Sequence, residues 1–154
     1  MANVPISGLP VATSLSGSDV SPWVVSGTTS RMTWTALQGL MQASVQQAGI
    51  PQNSQSAAYT LVAADAGKHI YHPSGDANAR TFTIPANSSV AFPIGTSITF
   101  INETSQVVTI AITTDTLVLA GTGTTGSRSL AQYGVATAIK VTSTRWYISG
   151  SGLT

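Results

Sequence analysis

Cysteine is absent from this 154-residue chain. Disulfides and thiolate metal sites are thereby excluded, the redox compartment leaves no mark on the sequence, and stability has to come from packing. Charge is nearly as scarce: Asp, Glu, Lys and Arg make up 7% of the residues, against about a quarter in an average soluble domain. The basic residues Arg31, Lys68, Arg80, Arg128, Lys140 and Arg145 stand singly, and the net charge is +1. That pattern lacks the clustered footprint of a nucleic-acid surface, so no nucleic-acid partner is expected. Long apolar runs are lacking as well. None approaches the roughly 18 residues of a membrane helix, and no positive side chain precedes Arg31, so neither a membrane partner nor a cleaved export signal is expected.

What the chain has in excess is hydroxyl. Ser and Thr make up roughly a quarter of it. A surface dressed with hydroxyls and amides repels its own copies weakly, which favours burial in an assembly. At 15.8 kDa one ordinary core is expected, with a small appended segment.

The clearest pattern is TFTIPANSSVAFPIGTSITFIN, residues 81–102. Phe82 and Ile84, then Ile98 and Phe100, alternate with polar residues at the period of a half-buried strand. Pro85, Asn87-Ser88-Ser89, and Pro93 and Gly95 at the second and fourth positions of a turn predict a structured loop crossing between two strands of one sheet.

Ahead of it, Met1 to Ser30 spaces its apolar residues singly (Ile6, Leu9 and Leu15 among them). It has too little apolar area to fold alone and is expected to be an extended arm ordered on something else. Trp23-Val24-Val25 and Arg31 to Trp34, around a Ser-Gly-Thr-Thr turn, predict a hairpin. Its two tryptophans either close a local core or dock on a partner. Thr35 and Gln38 form a capping-box spacing. Leu37, Leu40, Met41, Val45 and Ala48 share one face of a helix predicted over 35–48, stopped by Gly49 and Pro51, with glutamines opposite. The predicted organisation is thus an anchoring arm with hairpin and helix over 1–50, a polar linker over 51–57 and a β-domain over 58–154. Strands are predicted near 59–62, 69–72, 80–84, 97–102, 107–112, 117–119, 135–142 and 145–149. So many short strands point to a mainly β fold with an antiparallel sandwich or barrel. Ile139 and Val141 are expected on one face of the penultimate strand, with Trp146 and Ile148 closing the core.

Candidate chemistry is sparse. GTGTTG at 121–126 matches G-x-G-x-x-G, yet strand pattern follows where a helix is required and no acidic residue follows at all, so no cofactor is expected. His69 and His72, three apart in a strand, point to opposite faces and are expected to be solvated or edge-capping rather than metal ligands. The carboxylates Asp19, Asp65, Asp76, Glu103 and Asp115 fall one per loop. No acid, base and nucleophile converge by spacing, so a non-enzyme is expected. Asn87-Ser-Ser and Asn102-Glu-Thr fit the glycosylation rule. Exposed aromatics such as Tyr71, Tyr133 and Tyr147 beside polar loops are candidates for stacking on a sugar.

The run ISGLPVATSLSGSDVSPWVVSGTTSRMTWTALQGL, with YTLVAADAGKHIYHPSG, TFTIPANSSVAFPIGTSITFIN and GVATAIKVTSTRWYISG, resembles fibre and appendage proteins of tailed bacteriophages. The likeness covers nearly the whole chain, and TIPANSSVAFPIGT is its most specific piece. It implies a virion structural protein on the outside of the particle, a homotrimer whose partners are itself and capsid or tail proteins. It also implies anchoring through the N-terminal region, for which Ile6, Leu9, Leu15, Trp23, Trp34, Leu37, Leu40 and Met41 are the candidate residues. Shortness favours a head fibre or capsid decoration. A small tail fibre or adaptor, binding a host surface glycan, is the alternative.

Overall fold

The computed structural model describes residues 20–25, 28–45 and 49–154. The chain divides into two compact units, Met1–Ala48 and Gly49–Thr154. In the first, β1 (Val20–Val25) and β2 (Thr28–Thr33) form an antiparallel hairpin with Trp23 opposite Ser30. Helix α1 (Trp34–Val45) follows directly. Its cap comes earlier than the sequence spacing predicts: Thr33 Oγ1 accepts the Ala36 N–H at 3.1 Å. A threonine three residues ahead of that N–H meets one of the donors that the first turn of a helix leaves unpaired. The arm predicted over 1–30 lies outside the described residues as far as position 19, as does the predicted helix end at 46–48.

The second unit is one nine-stranded sheet curled into a half-barrel. Its strands are β3 (Gln52–Ser54), β4 (Tyr59–Thr60), β5 (His69–His72), β6 (Arg80–Ile84), β7 (Ser97–Asn102), β8 (Val108–Ile112), β9 (Thr116–Leu119), β10 (Arg128–Thr142) and β11 (Arg145–Leu153). The order is β3-β5-β7-β10-β8-β6-β4, with β11 on β10 and β9 on β11. The mainly β class matches the sequence reading; the expected antiparallel pairing does not hold throughout. β10 runs antiparallel to β7, β8 and β11, whereas β3/β5, β5/β7, β4/β6, β6/β8 and β9/β11 are parallel. The reason is the path of the chain. From β5 to β8 each connection crosses to the other half of the sheet instead of turning back as a hairpin, so strands two apart in sequence lie side by side and run the same way.

Gln52–Ser54, within the predicted polar linker, is a strand. Its backbone pairs with the edge of β5, continued by Gln55 N–H to Tyr71 O at 2.8 Å and His69 N–H to Pro51 O at 3.0 Å. Main-chain bonds hold it, so no apolar alternation was needed to make it one.

β10 joins the two halves. Arg128–Leu130 pair with β8, while Val135–Ile139 pair with β7 on one side and β11 on the other. Between them the register shifts, and Tyr133 takes φ 60°. The core fills the curl. Phe82 of β6 and Phe100 of β7 stack across it with centroids 6.5 Å apart, amid Ile70, Ile84, Ile98, Val108, Ile110, Leu130 and Ile148. The crossing loop after β6 closes one end: Phe92 is buried and meets the fully buried Trp146 edge-on at 5.6 Å.

One local expectation needs correction and a second gains a side. Thr96 N–H bonds Pro93 O at 3.1 Å and Gly95 has φ 90°. Pro93 and Gly95 are therefore the first and third residues of the turn, because a type II turn needs its positive φ at the third position. Ile139 and Val141 share a face as expected, but it is the outer one, at 45% and 40% exposure, while Ala136, Ala138 and Lys140 point inward. The small alanines leave room for Trp146 and Phe92, whose bulk fills the space a larger inward residue would need.

Candidate functional site

The corner of β10 borders a depression of about 320 Å³ lined by Ser74, Glu103, Ser105, Gln132 and Tyr133. Three elements meet there: the turn after β5, the loop that ends β7, and the β10 corner. Each is held from below. Asn102 is fully buried, its amide donating to Gln106 O at 2.8 Å and Leu130 O at 3.0 Å, while its carbonyl accepts the Thr104 N–H at 3.0 Å. Thr104 in turn donates to Asp76 O at 2.8 Å. Burial of Asn102 rules it out as a glycan acceptor, although it fits the sequence rule.

On the rim, Tyr133 is 76% exposed in a left-handed backbone conformation. A non-glycine residue there stores of order 1–3 kcal/mol of strain. The Tyr71 hydroxyl donates to the Glu103 carboxylate. That contact pushes the Tyr71 phenol up from its ordinary 10.0, with its own desolvation adding to the effect. The depression thus combines one ring open to stacking, one carboxylate fixed by a phenol, an amide and two hydroxyls. Such a set suits an uncharged polyhydroxylated ligand, whose ring faces stack and whose hydroxyls need fixed acceptors and donors.

Directly beneath lies a charged cluster. Asp76 accepts Arg80 Nε at 2.7 Å and Nη2 at 3.2 Å, Asn78 Nδ2 at 2.6 Å, and meets His72 Nε2 at 3.0 Å. The Arg80 guanidinium, then Asn78 and His72, hold its carboxyl well below the usual carboxylate range. His72 is fully buried and set edge-on to Phe82 at 5.8 Å, which corrects the expectation of a solvated or edge-capping side chain. His69, half-exposed, points the other way, as the strand period requires. A second carboxylate, the buried Asp65, accepts Asn53 Nδ2 at 2.8 Å, Tyr59 Oη at 2.9 Å and Val62 N–H at 2.9 Å. Burial, then Asp65, pushes the Tyr59 phenol up. Both carboxylates are saturated by partners and tie loops to strands. Among the described residues no group of three or more His, Asp and Glu could hold a metal ion.

Of the three candidate tyrosines, Tyr133 lines the depression and Tyr71 reaches it through Glu103. Tyr147 stands apart, on the outer face of β11 opposite Ile139. Sequence reasoning missed Glu103, Gln132, Ser74 and Ser105 as a group; only Glu103 carried a signal, as a carboxylate alone in its loop. Of the candidate anchoring residues, Ile6, Leu9 and Leu15 lie outside the described residues. Trp23 is in β1, and Trp34, Leu37, Leu40 and Met41 are in α1, with Trp34 and Leu37 half-buried. The GTGTTG loop leads back into β10, not into a helix, and is pinned by Gly123 N–H to Leu119 O at 2.9 Å and Gly126 N–H to Leu117 O at 3.1 Å. No family model, curated protein or solved structure matches the chain.

Proposed function

We propose that this chain is a structural protein of a tailed-bacteriophage particle, a short trimeric head fibre or capsid decoration protein. Its N-terminal unit grips the particle and its β unit faces outward, with binding rather than catalysis as its role. The observation that carries this reading is the division into two compact units meeting at Ala48 and Gly49, which is the organisation an anchor and a displayed domain require. The sequence resemblance and the hydroxyl-rich, charge-poor composition support it. The test is deletion of residues 1–48: the remaining chain folds and no longer co-purifies with particles. Retention on particles overturns the anchoring role. Antibody against the β unit then labels heads in electron micrographs; label confined to tails overturns the head assignment.

One observation favours a second reading, a small tail fibre or adaptor that binds host surface glycan. It is the exposed, strained Tyr133 beside Glu103 on a polar depression. Binding of the full chain on a glycan array supports it, and an empty array removes it.

A further inference from the structure

Strand alternation puts a lysine where a core residue belongs. Lys140 follows Ala136 and Ala138 on the inward face of β10 and is 1% exposed. Its Nζ lies 5.6 Å from the centroid of the Trp146 ring and donates to Asn87 Oδ1 at 2.6 Å. No carboxylate among the described residues stands within ion-pair distance of that nitrogen. A buried ammonium whose only hydrogen-bond partner among the described residues is a neutral amide is an expensive arrangement, because the Trp146 ring face offsets its charge only in part and its remaining donors have no acceptor.

We propose that Lys140 and Asn87 are partners in an intramolecular amide cross-link, formed by the folded chain on itself. With a C=O length of about 1.2 Å, the hydrogen bond sets Nζ roughly 3–3.8 Å from the Asn87 amide carbon. That range overlaps the separation of about 3–3.5 Å at which reacting atoms attack. Attack requires the free amine. Asp115, itself buried, stands beside the acceptor: its Oδ2 takes the Asn87 N–H at 3.1 Å. The proton that the ammonium gives up leaves on the departing nitrogen.

The step balances without a co-reactant. The Lys140 Nζ to Asn87 Cγ bond forms, the Asn87 Cγ to Nδ2 bond breaks, and ammonia leaves carrying the lysine's surplus proton as ammonium. Asn87 is half-buried, so the leaving group has a way out to solvent. The product is a neutral secondary amide, which removes the uncompensated charge from the core. The scaffold holds both partners in register. Lys140 N–H bonds Thr96 O at 2.9 Å and Gly95 N–H bonds Lys140 O at 2.8 Å, so the end of the crossing loop that carries Asn87 is already stitched to the Lys140 backbone.

Mass spectrometry of the purified full chain decides the matter. The cross-linked chain is lighter than its sequence by one ammonia. Trypsin then leaves residues 81–128 joined to 129–145 in one peptide uncut after Lys140, and fragmentation locates the bridge at Asn87 and Lys140. A chain of full sequence mass, cut after Lys140, overturns the proposal. So does a loss of ammonia confined to the 81–128 peptide, which is the signature of a cyclic imide at Asn87-Ser88. Lys140→Met abolishes the joined peptide. Should that variant not fold, Asn87→Ala, at a half-buried loop position, abolishes the joined peptide as well. A joined peptide that persists in either variant overturns the proposal.

Discussion

His72 Nε2 and Arg80 Nε converge on one oxygen, Asp76 Oδ2, at 3.0 and 2.7 Å. The contact ties the buried end of β5 to the start of β6, and so ties the two halves of the sheet beneath the candidate site. Asp76 has its carboxyl held below the ordinary range, so its contribution to stability is complete above an unfolded value of about 4 and is lost as the pH falls through the folded value. Asp76→Asn should be less stable than the native chain at neutral pH, with the difference shrinking steadily below about pH 4. Urea midpoints measured across that range check it; parallel pH profiles for the two proteins would refute it.

Trp146 and Tyr147 are neighbours in β11 that face opposite ways. Trp146 is fully buried against Phe92, whereas Tyr147 is 41% exposed. Trp146→Ala should cost about 3–5 kcal/mol. Tyr147→Ala should stay within about 0.5 kcal/mol of the native chain. Denaturant unfolding measures both, and similar costs for the pair would mean that the facing of β11 is wrong.

Backbone geometry gives an opposed pair of glycine substitutions. A Cβ at Gly150 would sit 2.1 Å from Val135 O and 2.5 Å from Ala136 Cα. Main chain cannot give way as a side chain does, so Gly150→Ala should cost at least about 2 kcal/mol. Tyr133, at φ 60°, is the reverse case. Tyr133→Gly should leave stability unchanged or raise it by up to about 1 kcal/mol, through relief of left-handed strain. Thermal unfolding should therefore fall for Gly150→Ala and not fall for Tyr133→Gly.

If the depression binds glycan, ring and carboxylate should both matter. Tyr133→Ala and Glu103→Gln should each weaken binding tenfold or more, about 1.4 kcal/mol, with Tyr147→Ala unchanged. Calorimetry with an array-selected glycan reads this directly. Tyr71→Phe should fall between, because it frees Glu103 without removing it. The Tyr71 phenol should ionise above 10.0. Its hydrogen bond to Glu103 is therefore present at and below that pH and lost as the pH rises through the folded value, which ultraviolet titration of the native chain against Tyr71→Phe would show.

The residues explain what could be read in advance. β5, β6 and β7 lie where strict alternation of buried and polar residues predicts them, at His69–His72, Arg80–Ile84 and Ser97–Asn102. Gln52–Ser54 has no apolar residue to alternate, and its strand character comes from the neighbour it borders. The first half of β10 hides for a related reason: Ser129, Ala131 and Gln132 are exposed, and a corner interrupts the period. Parallel pairing depends on which strands end up adjacent, a long-range property that no local pattern carries. The depression draws its five residues from two loops and the corner of β10, which is why composition and spacing never grouped them. Lys140 was invisible as a core residue because lysines are almost always solvated.

β10 belongs to both halves of the curl, and it follows β7 and β8, the strands it joins, along the chain. A ribosome that has delivered everything through β9 has released strands with neither their shared neighbour nor Trp146 to cover the core. The half-barrel therefore cannot close until β10 has been delivered. With so much pairing between distant segments, closure belongs to the slow end of small-domain folding, on the order of milliseconds to seconds. Until then Phe82, Phe100 and their neighbours stand open to other chains, and the first molecules to meet are copies made on the same message.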